Sequence, residues 1–350
     1  MKYKGLSLFA NVGIAETYLK EIGFPVFLAN ELLPERVKFY KHLHGHDSIV
    51  GSITDKEVYN NIIEYSKKLN INFILATPPC QGMSTAGQMK EDDPRNTLII
   101  KAMDAFKELL PEFMLIENVP QMFKTSILVN GQLINIKDYL QSIADQYQYN
   151  IQFDIFDAAD YGTPQNRKRS FTRIYKKCYD WQAPIKETWI TVEQAIGNLP
   201  SLESEEKSQI PYHYAPKHNA NHILWMKNTP TGKSAFENAI HYPKKDGRKI
   251  KGFLNTYKRI SWDKPAPTIT MANGSVSSQE NVHPGRLLPD GTYSDARVLS
   301  LLEIFRLTGL PDNWNPPGWA SDNLIRHVIG EAIPPHLVKN IFKGLKYNGK

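Results

Sequence analysis

Four short apolar runs punctuate the first third of the chain: Lys4–Ala10 (KGLSLFA), Val26–Ala29 (VFLA), Asn72–Ala76 (NFILA) and Phe113–Ile116 (FMLI). Each has the length of a strand buried on both faces, roughly four to eight residues. The stretches between them carry the helical period instead. Glu57–Leu69 puts Val58, Ile62, Ile63 and Tyr65 near one face, and Leu98–Leu110 spaces Ile99, Met103, Phe106 and Leu110 at helical intervals. Strand, helix, strand in that rhythm predicts an α/β fold with a doubly wound, mostly parallel sheet.

Such sheets bind ligands beyond the carboxyl ends of their strands. The residues just past each apolar run are therefore Asn11-Val12-Gly13, Asn30-Glu31, Pro78-Pro79-Cys80 and Glu117-Asn118-Val119. A crossover helix joining the third and fourth runs makes those strands neighbours, so Cys80 and Glu117 are expected to face one pocket. After about Trp181 the rhythm changes. From there to about Pro317 the chain is rich in Pro, His, Asn and Lys, with short irregular apolar runs, which predicts a second, smaller, loop-rich domain. The tail Leu337–Leu345 regains helical spacing and is expected to pack back on the first domain.

Composition excludes several classes. With 41% hydrophobic and 22% charged residues the chain is not disordered. No apolar run reaches the roughly 18 residues a membrane span needs. The start imitates a signal peptide, but Gly5, Ser7 and Asn11 cut its apolar stretch short. Two cysteines, Cys80 and Cys178, cannot build a disulfide framework, and a reducing, cytoplasmic setting is expected.

The net charge of +6 is concentrated rather than spread. Between His241 and Ile260, Lys244, Lys245, Arg248, Lys249, Lys251, Lys258 and Arg259 face one acid, Asp246. With Tyr and Phe interleaved, this window reads as a contact for a phosphate backbone.

The candidate chemistry centres on TPPCQGMS at 77–84. Pro78 and Pro79 lack amide hydrogens and stiffen the turn, while Gln81, Gly82 and Ser84 are small or polar, which points the Cys80 thiol into a site rather than a core. There it could attack an electrophilic carbon. Metal ligation is not expected, since no second Cys or His stands at ligand spacing. Glu117 follows four apolar residues, where a carboxylate is costly unless used or paired; it is either a proton donor or a structural ion-pair partner. In PQNRKR at 164–169, Arg167 and Arg169 fall on the same side if the segment is extended. Glu31 stands about 20 residues past the first loop, where an acid commonly takes the ribose hydroxyls of an adenosine-bearing ligand.

Taken in order, FANVGIAE, PPCQGMS, ENVP, QNRKR, RVLSLLEIFRLTGLPDNW and GEAIPP resemble the motifs of the DNA (cytosine-5)-methyltransferases of bacterial restriction-modification systems. The resemblance implies that Cys80 adds to carbon 6 of a flipped-out cytosine, that Glu117 holds and protonates ring N3, and that Arg167 and Arg169 steady the base and the adduct. It implies S-adenosylmethionine as cofactor, lined by Phe9, Gly13, Glu31, Ile53, Pro79, Leu98, Glu331 and Ala332. It places Gln81, Ser84, Asn118 and Gln165 toward the substrate and, with the basic window, Lys244, Lys245, Arg248, Lys249, Lys251 and Arg259 toward DNA.

The chain departs from the family at Asn11 and Ile14, where further glycines are usual, at Ser52, where an acid often contacts adenine, and at Glu331, where Asn is usual. The implied architecture is a catalytic and cofactor domain at 1–180 with 322–350, and a target-recognition domain with its hinge at 181–321. The implied partners are duplex DNA and a cognate restriction endonuclease sharing its site, and the implied state is a monomer. A tRNA cytosine-5 methyltransferase and a catalytically idle nucleic-acid-binding relative are the competing readings.

Overall fold

A computed structural model describes residues 2–46, 48–79 and 98–349. Its chain divides into two compact units, one made of Met1–Asp157, Lys168–Lys186 and Pro335–Lys350, the other of Ala158–Arg167 and Glu187–Pro334. The bounds of these compact units differ from the expected domain bounds in three places. The stretch 158–167 and the helix near 322–331 belong to the second unit, and the first unit runs on to Lys186.

The first unit is built on strands β1 (Gly5–Leu8), β2 (Val26–Glu31), β3 (Ser48–Val50), β4 (Phe73–Ala76) and β5 (Phe113–Asn118). They pair in parallel in the order β3-β2-β1-β4-β5. After a small hairpin of β6 (Ser126–Val129) and β7 (Gln132–Asn135), β8 (Tyr149–Asp157) and β9 (Lys168–Lys176) complete seven strands, with β9 antiparallel between β5 and β8. The run that imitates a signal peptide is thus a central strand. Gly5 is required there, because a Cβ would come within 2.3 Å of the Phe73 ring.

Alternation along the strands divides the two faces. Leu6, Leu8, Ile74, Ala76, Met114 and Ile116 pack in one cluster with residues of α2 (Lys56–Leu69), α3 (Leu98–Leu109) and α4 (Ile136–Gln146), which follow α1 (Pro34–His44) in the chain. The odd residues Phe73 and Phe113 instead meet Phe24, Phe342 and Trp181 in edge-on aromatic contacts. Phe342 lies in the C-terminal helix Pro335–Lys343, and the Trp181 indole donates to the Ile341 carbonyl at 2.8 Å. The tail packs on the first unit, as its helical spacing led one to expect.

The second unit is mostly irregular. Its helices are α5 (Val192–Ile196), α6 (Ala220–Lys227), α7 (Leu301–Thr308) and α8 (Asp322–Glu331), which makes the C-terminal helix α9. Helix α7 is explicit in its sequence: Ser300 and Glu303 form a capping box, and Gly309 ends it at φ 82. A small apolar cluster of Trp225, Met226, Ala235, Val276, Val282, Ala296 and Val298 is joined by three fully buried or nearly buried arginines, Arg259, Arg297 and Arg326.

Candidate active site

The carboxyl ends of β1, β2, β4 and β5 are laced together. The Thr77 hydroxyl donates to the Phe9 carbonyl (2.9 Å), the Ala10 amide to Asn30 (2.9 Å), and the Asn30 side chain to the Ile49 and Gly51 carbonyls (3.0 and 3.1 Å). Asn118, nearly buried, donates through Nδ2 to the Pro78 carbonyl at 3.0 Å. The chain is therefore pinned two residues before the cysteine. Cys80, Gln81 and Ser84 themselves lie outside the described residues.

Glu117 is the fifth residue of β5 and almost buried. In the antiparallel register it stands opposite Phe171. Residues two apart on a strand share a face, so Arg169, two before Phe171, is the diagonal neighbour of Glu117. Its Nε lies 3.2 Å from the Glu117 carboxylate. This is where Arg167 and Arg169 part company. Arg167, 3% exposed, belongs to the second unit, and its guanidinium donates to the carbonyls of Ile269 (2.9 Å), Gly330 (2.9 Å) and Glu331 (3.0 Å). The last two close α8, whose carbonyl end attracts a cation. The expectation that both arginines fall on one side is corrected: Arg169 meets the acid, and Arg167 binds a helix end.

Gln165 is also buried, donating to the Leu307 carbonyl (3.3 Å) and accepting from the Ile269 amide (3.2 Å). Both ends of its amide are engaged by backbone, so it builds the second unit.

The donor set expected for an adenosine-bearing cofactor fits the strand edge. Glu31 ends β2 with its carboxylate accepting from the Asn11 amide (2.9 Å) and the Leu33 amide (3.1 Å), which sets an acceptor suited to ribose hydroxyls against the first loop. Phe9 and Asn11 hold left-handed backbone at φ 59 and 50, and Gly13 at φ 76. A bulky residue there is strained, and such strain gathers at functional sites. Asn11 thus adopts the backbone that a glycine would favour. Ile53 is buried in the main core, while Leu98 and Pro79 are half-buried. Ser52 opens a turn with Thr54, its hydroxyl 2.7 Å from Thr54 Oγ1. In the second unit Glu331 pairs with His327 at 3.3 Å, and Ala332 follows as the cap of α8.

Sequence reasoning missed the support behind the first loop. A Cβ on Gly13 would stand 2.1 Å from His44 Nε2, which donates to the Val12 carbonyl at 3.3 Å. Burial lowers the His44 imidazole to about 4, so it is neutral. The Tyr40 hydroxyl donates to the buried Glu16 carboxylate at 2.6 Å. No local pattern marks these residues, because they meet only when α1 folds over the loop.

The basic window is also resolved. Lys244–Lys245 and Arg248–Lys249 pair as an exposed two-residue hairpin. Lys258 is matched by Glu280 at 2.6 Å. Arg259 is fully buried and donates to the carbonyls of Met226, His283, Ser294 and Asp295. Its assignment to DNA is therefore corrected: it holds the second unit together.

The chain matches the solved Entamoeba histolytica methyltransferase EhMeth with a TM-score of 0.66 at 15% identity over 98% of each chain, a likeness of fold. The sheet order and this likeness show the fold. The model of the C-5 cytosine-specific DNA methylases matches residues 3–347, and the chain belongs to that family. It is 49% identical over 346 residues to the Type II methyltransferase M1.HgaI of Avibacterium volantium, covering 96% of each. It is 26% identical to M1.HphI of Haemophilus parahaemolyticus, covering 98% of this chain and 87% of that one. It is a DNA (cytosine-5-)-methyltransferase, which favours duplex DNA over the tRNA reading.

Proposed function

We propose that Cys80, Glu117 and Arg169 carry the chemistry and that S-adenosylmethionine is the methyl donor. The Arg169–Glu117 contact at 3.2 Å supports this most directly, because it sits on β5, next to the strand that leads into PPCQ. The Cys80 thiolate adds to carbon 6 of a cytosine drawn out of the stack, making carbon 5 nucleophilic. Glu117 holds the proton at ring N3, and Arg169 fixes the carboxylate that does so. Arg167 acts as a positioning residue through the end of α8. Phe9, Gly13 and Glu31 would hold the cofactor, which would supply an electrophilic methyl group. Cys80 departs as carbon 5 gives up its proton.

The second unit is read as the target-recognition domain, with Lys244, Lys245, Arg248, Lys249 and Lys251 on phosphates. Asn118 holds the Pro78 carbonyl just before the nucleophile, and Gln81 and Ser84 are read as substrate contacts. The protein is taken to act as a cytoplasmic monomer, protecting a site shared with a restriction endonuclease, a setting supported by its likeness to Type II methyltransferases.

Covalent trapping tests the reading. Wild type should form a denaturation-resistant adduct with duplex DNA carrying 5-fluorocytosine, whose carbon 5 cannot lose a proton. Cys80→Ser should bind DNA and cofactor, form no adduct and methylate nothing. Methylation surviving in that variant would overturn the assignment.

A further inference from the structure

Ile240, Phe253 and Leu254 expose 73%, 78% and 62% of their surface, and all three lie in or beside the basic window. Single exposed apolar residues need no explanation, but Phe253 and Leu254 stand side by side on one turn, and adjacent exposed apolar side chains mark an interaction surface. This group is built rather than loose. Gly252 rests on the Phe236 ring, where a Cβ would come within 2.2 Å, so the chain just before Phe253 is packed closely on a buried ring. The Phe253 carbonyl then accepts from both the Thr256 amide (2.9 Å) and the Thr256 hydroxyl (2.8 Å), closing a tight turn with Phe253 and Leu254 toward solvent.

The base of that turn is anchored. Ser234 donates to the Thr256 carbonyl (2.8 Å), and the Glu280 amide to Asn255 (2.9 Å). Phe236 also anchors the basic hairpin, since its carbonyl accepts from Lys249 Nζ at 2.9 Å. One buried residue thus carries both the cationic hairpin and the apolar turn.

We infer that Phe253, backed by Leu254, is a wedge that enters duplex DNA between two base pairs while Lys244, Lys245, Arg248 and Lys251 hold the flanking phosphates. Charge complementarity selects the partner: a protein groove for two apolar side chains would not call for four exposed cations in the same short window, whereas nucleic acid presents phosphates outside and apolar base faces inside. Proteins that deform DNA insert Phe or Leu side chains between base steps in this way, with cations gripping the backbone. The inference rests on reading the second unit as the DNA-recognition domain.

The test uses a duplex containing the sequence that wild type methylates, identified by bisulfite sequencing, with 2-aminopurine at successive positions other than the target cytosine. Wild type should raise the fluorescence at one step several-fold by unstacking it. Phe253→Ala should lose that signal and bind about tenfold to a hundredfold more weakly, the size of one lost base–aromatic stack, with an unchanged slope of log affinity against log salt because no phosphate contact is removed. Phe253→Trp should retain the signal, and both variants should still trap 5-fluorocytosine. Unchanged affinity and signal in Phe253→Ala would overturn the wedge while leaving duplex binding in place. A lost signal in Phe253→Trp together with a lowered melting temperature would overturn it in favour of a folding role. Failure of wild type to bind any duplex would overturn the recognition reading itself.

Discussion

Each unit holds a buried carboxylate against an arginine, and the two pairs differ in geometry. In the second unit Arg297 is fully buried and grips Glu303 with two prongs, at 2.8 and 2.9 Å, while also donating to Asp295 at 2.8 Å and to the Leu202 carbonyl at 2.9 Å. Glu303 further accepts from the Ser300 amide at 2.7 Å. Burial alone would raise the Glu303 carboxyl, but the charges of Arg297 and His283 and the hydrogen bonds from Arg297 and the Ser300 amide overcome it and hold the group at about 2. Such a carboxylate is permanently ionised and cannot deliver a proton near neutrality. In the first unit Arg169 reaches Glu117 through Nε at 3.2 Å, with 16% of its side chain exposed at the end of a strand. The fork over Glu303 ties a buried network; Glu117 stands at the end of β5, on the edge where sheets of this class bind ligands.

Exchanging the acid tests this contrast most sharply. Glu117→Gln keeps the shape of the side chain but donates no acidic proton, so turnover should fall by roughly 10²–10⁴-fold while the melting temperature stays close to wild type. A lowered melting temperature with unchanged turnover, measured by calorimetry and methyl transfer, would make Glu117 a structural partner like Glu303. The converse substitution, Arg297→Ala, should cost about 3–5 kcal/mol in denaturant unfolding, because it strands two buried carboxylates. An effect below about 1 kcal/mol would mean that the second unit does not depend on this network.

Acid should act on the same network in two steps. His283, fully enclosed, is held at about 4 by burial against an ordinary 6.5. Between those values the unfolded chain binds more protons than the folded one, so stability should fall as pH drops from 6.5 to 4, by up to about 3 kcal/mol from this residue. His44 and His218, also held at about 4, add in the same direction. Glu303 is depressed from 4.5, so the stability it gives is complete above that value and is lost as pH falls toward 2. Calorimetric melting temperatures from pH 7 to 3 would check this, and a flat profile would contradict it.

The smallest expected effect concerns the hairpin. Replacing Lys244 and Lys245 by Gln should weaken binding to target and non-target duplexes alike and flatten the salt slope by nearly two, at about 0.9 per phosphate contact, with the methylated sequence unchanged. Lys249 is a poor choice for this test because its ammonium also holds the Phe236 carbonyl. A changed methylated sequence would place these lysines at base edges instead.

Much of the first unit is legible in the sequence because its strands and helices are written locally. NFILA and FMLI became β4 and β5 within a residue or two, since an apolar run between turn residues has few other solutions in a parallel sheet. The second unit resisted such reading. Its order comes from buried arginines reaching carbonyls far along the chain, as Arg259 does to Met226 and Ser294, and no periodicity announces a contact of that kind. The short extended bridges that tie it together carry no pattern either.

The sequence by itself determined the α/β class and the strand end at which Glu117 stands, because strand ends follow from apolar runs and a carboxylate there must be used or paired. Only the tertiary structure decided which arginine meets that acid. Arg167 and Arg169 are two residues apart in one basic motif, but the antiparallel register of β9 on β5 sets Arg169 diagonally beside Glu117, while Arg167, just before the strand begins, is drawn to the carbonyl end of α8. Likewise, only packing separated Arg259 from the lysines around it. A guanidinium can be buried only where carbonyls answer its N–H donors, and whether those carbonyls are there is settled by segments tens of residues away.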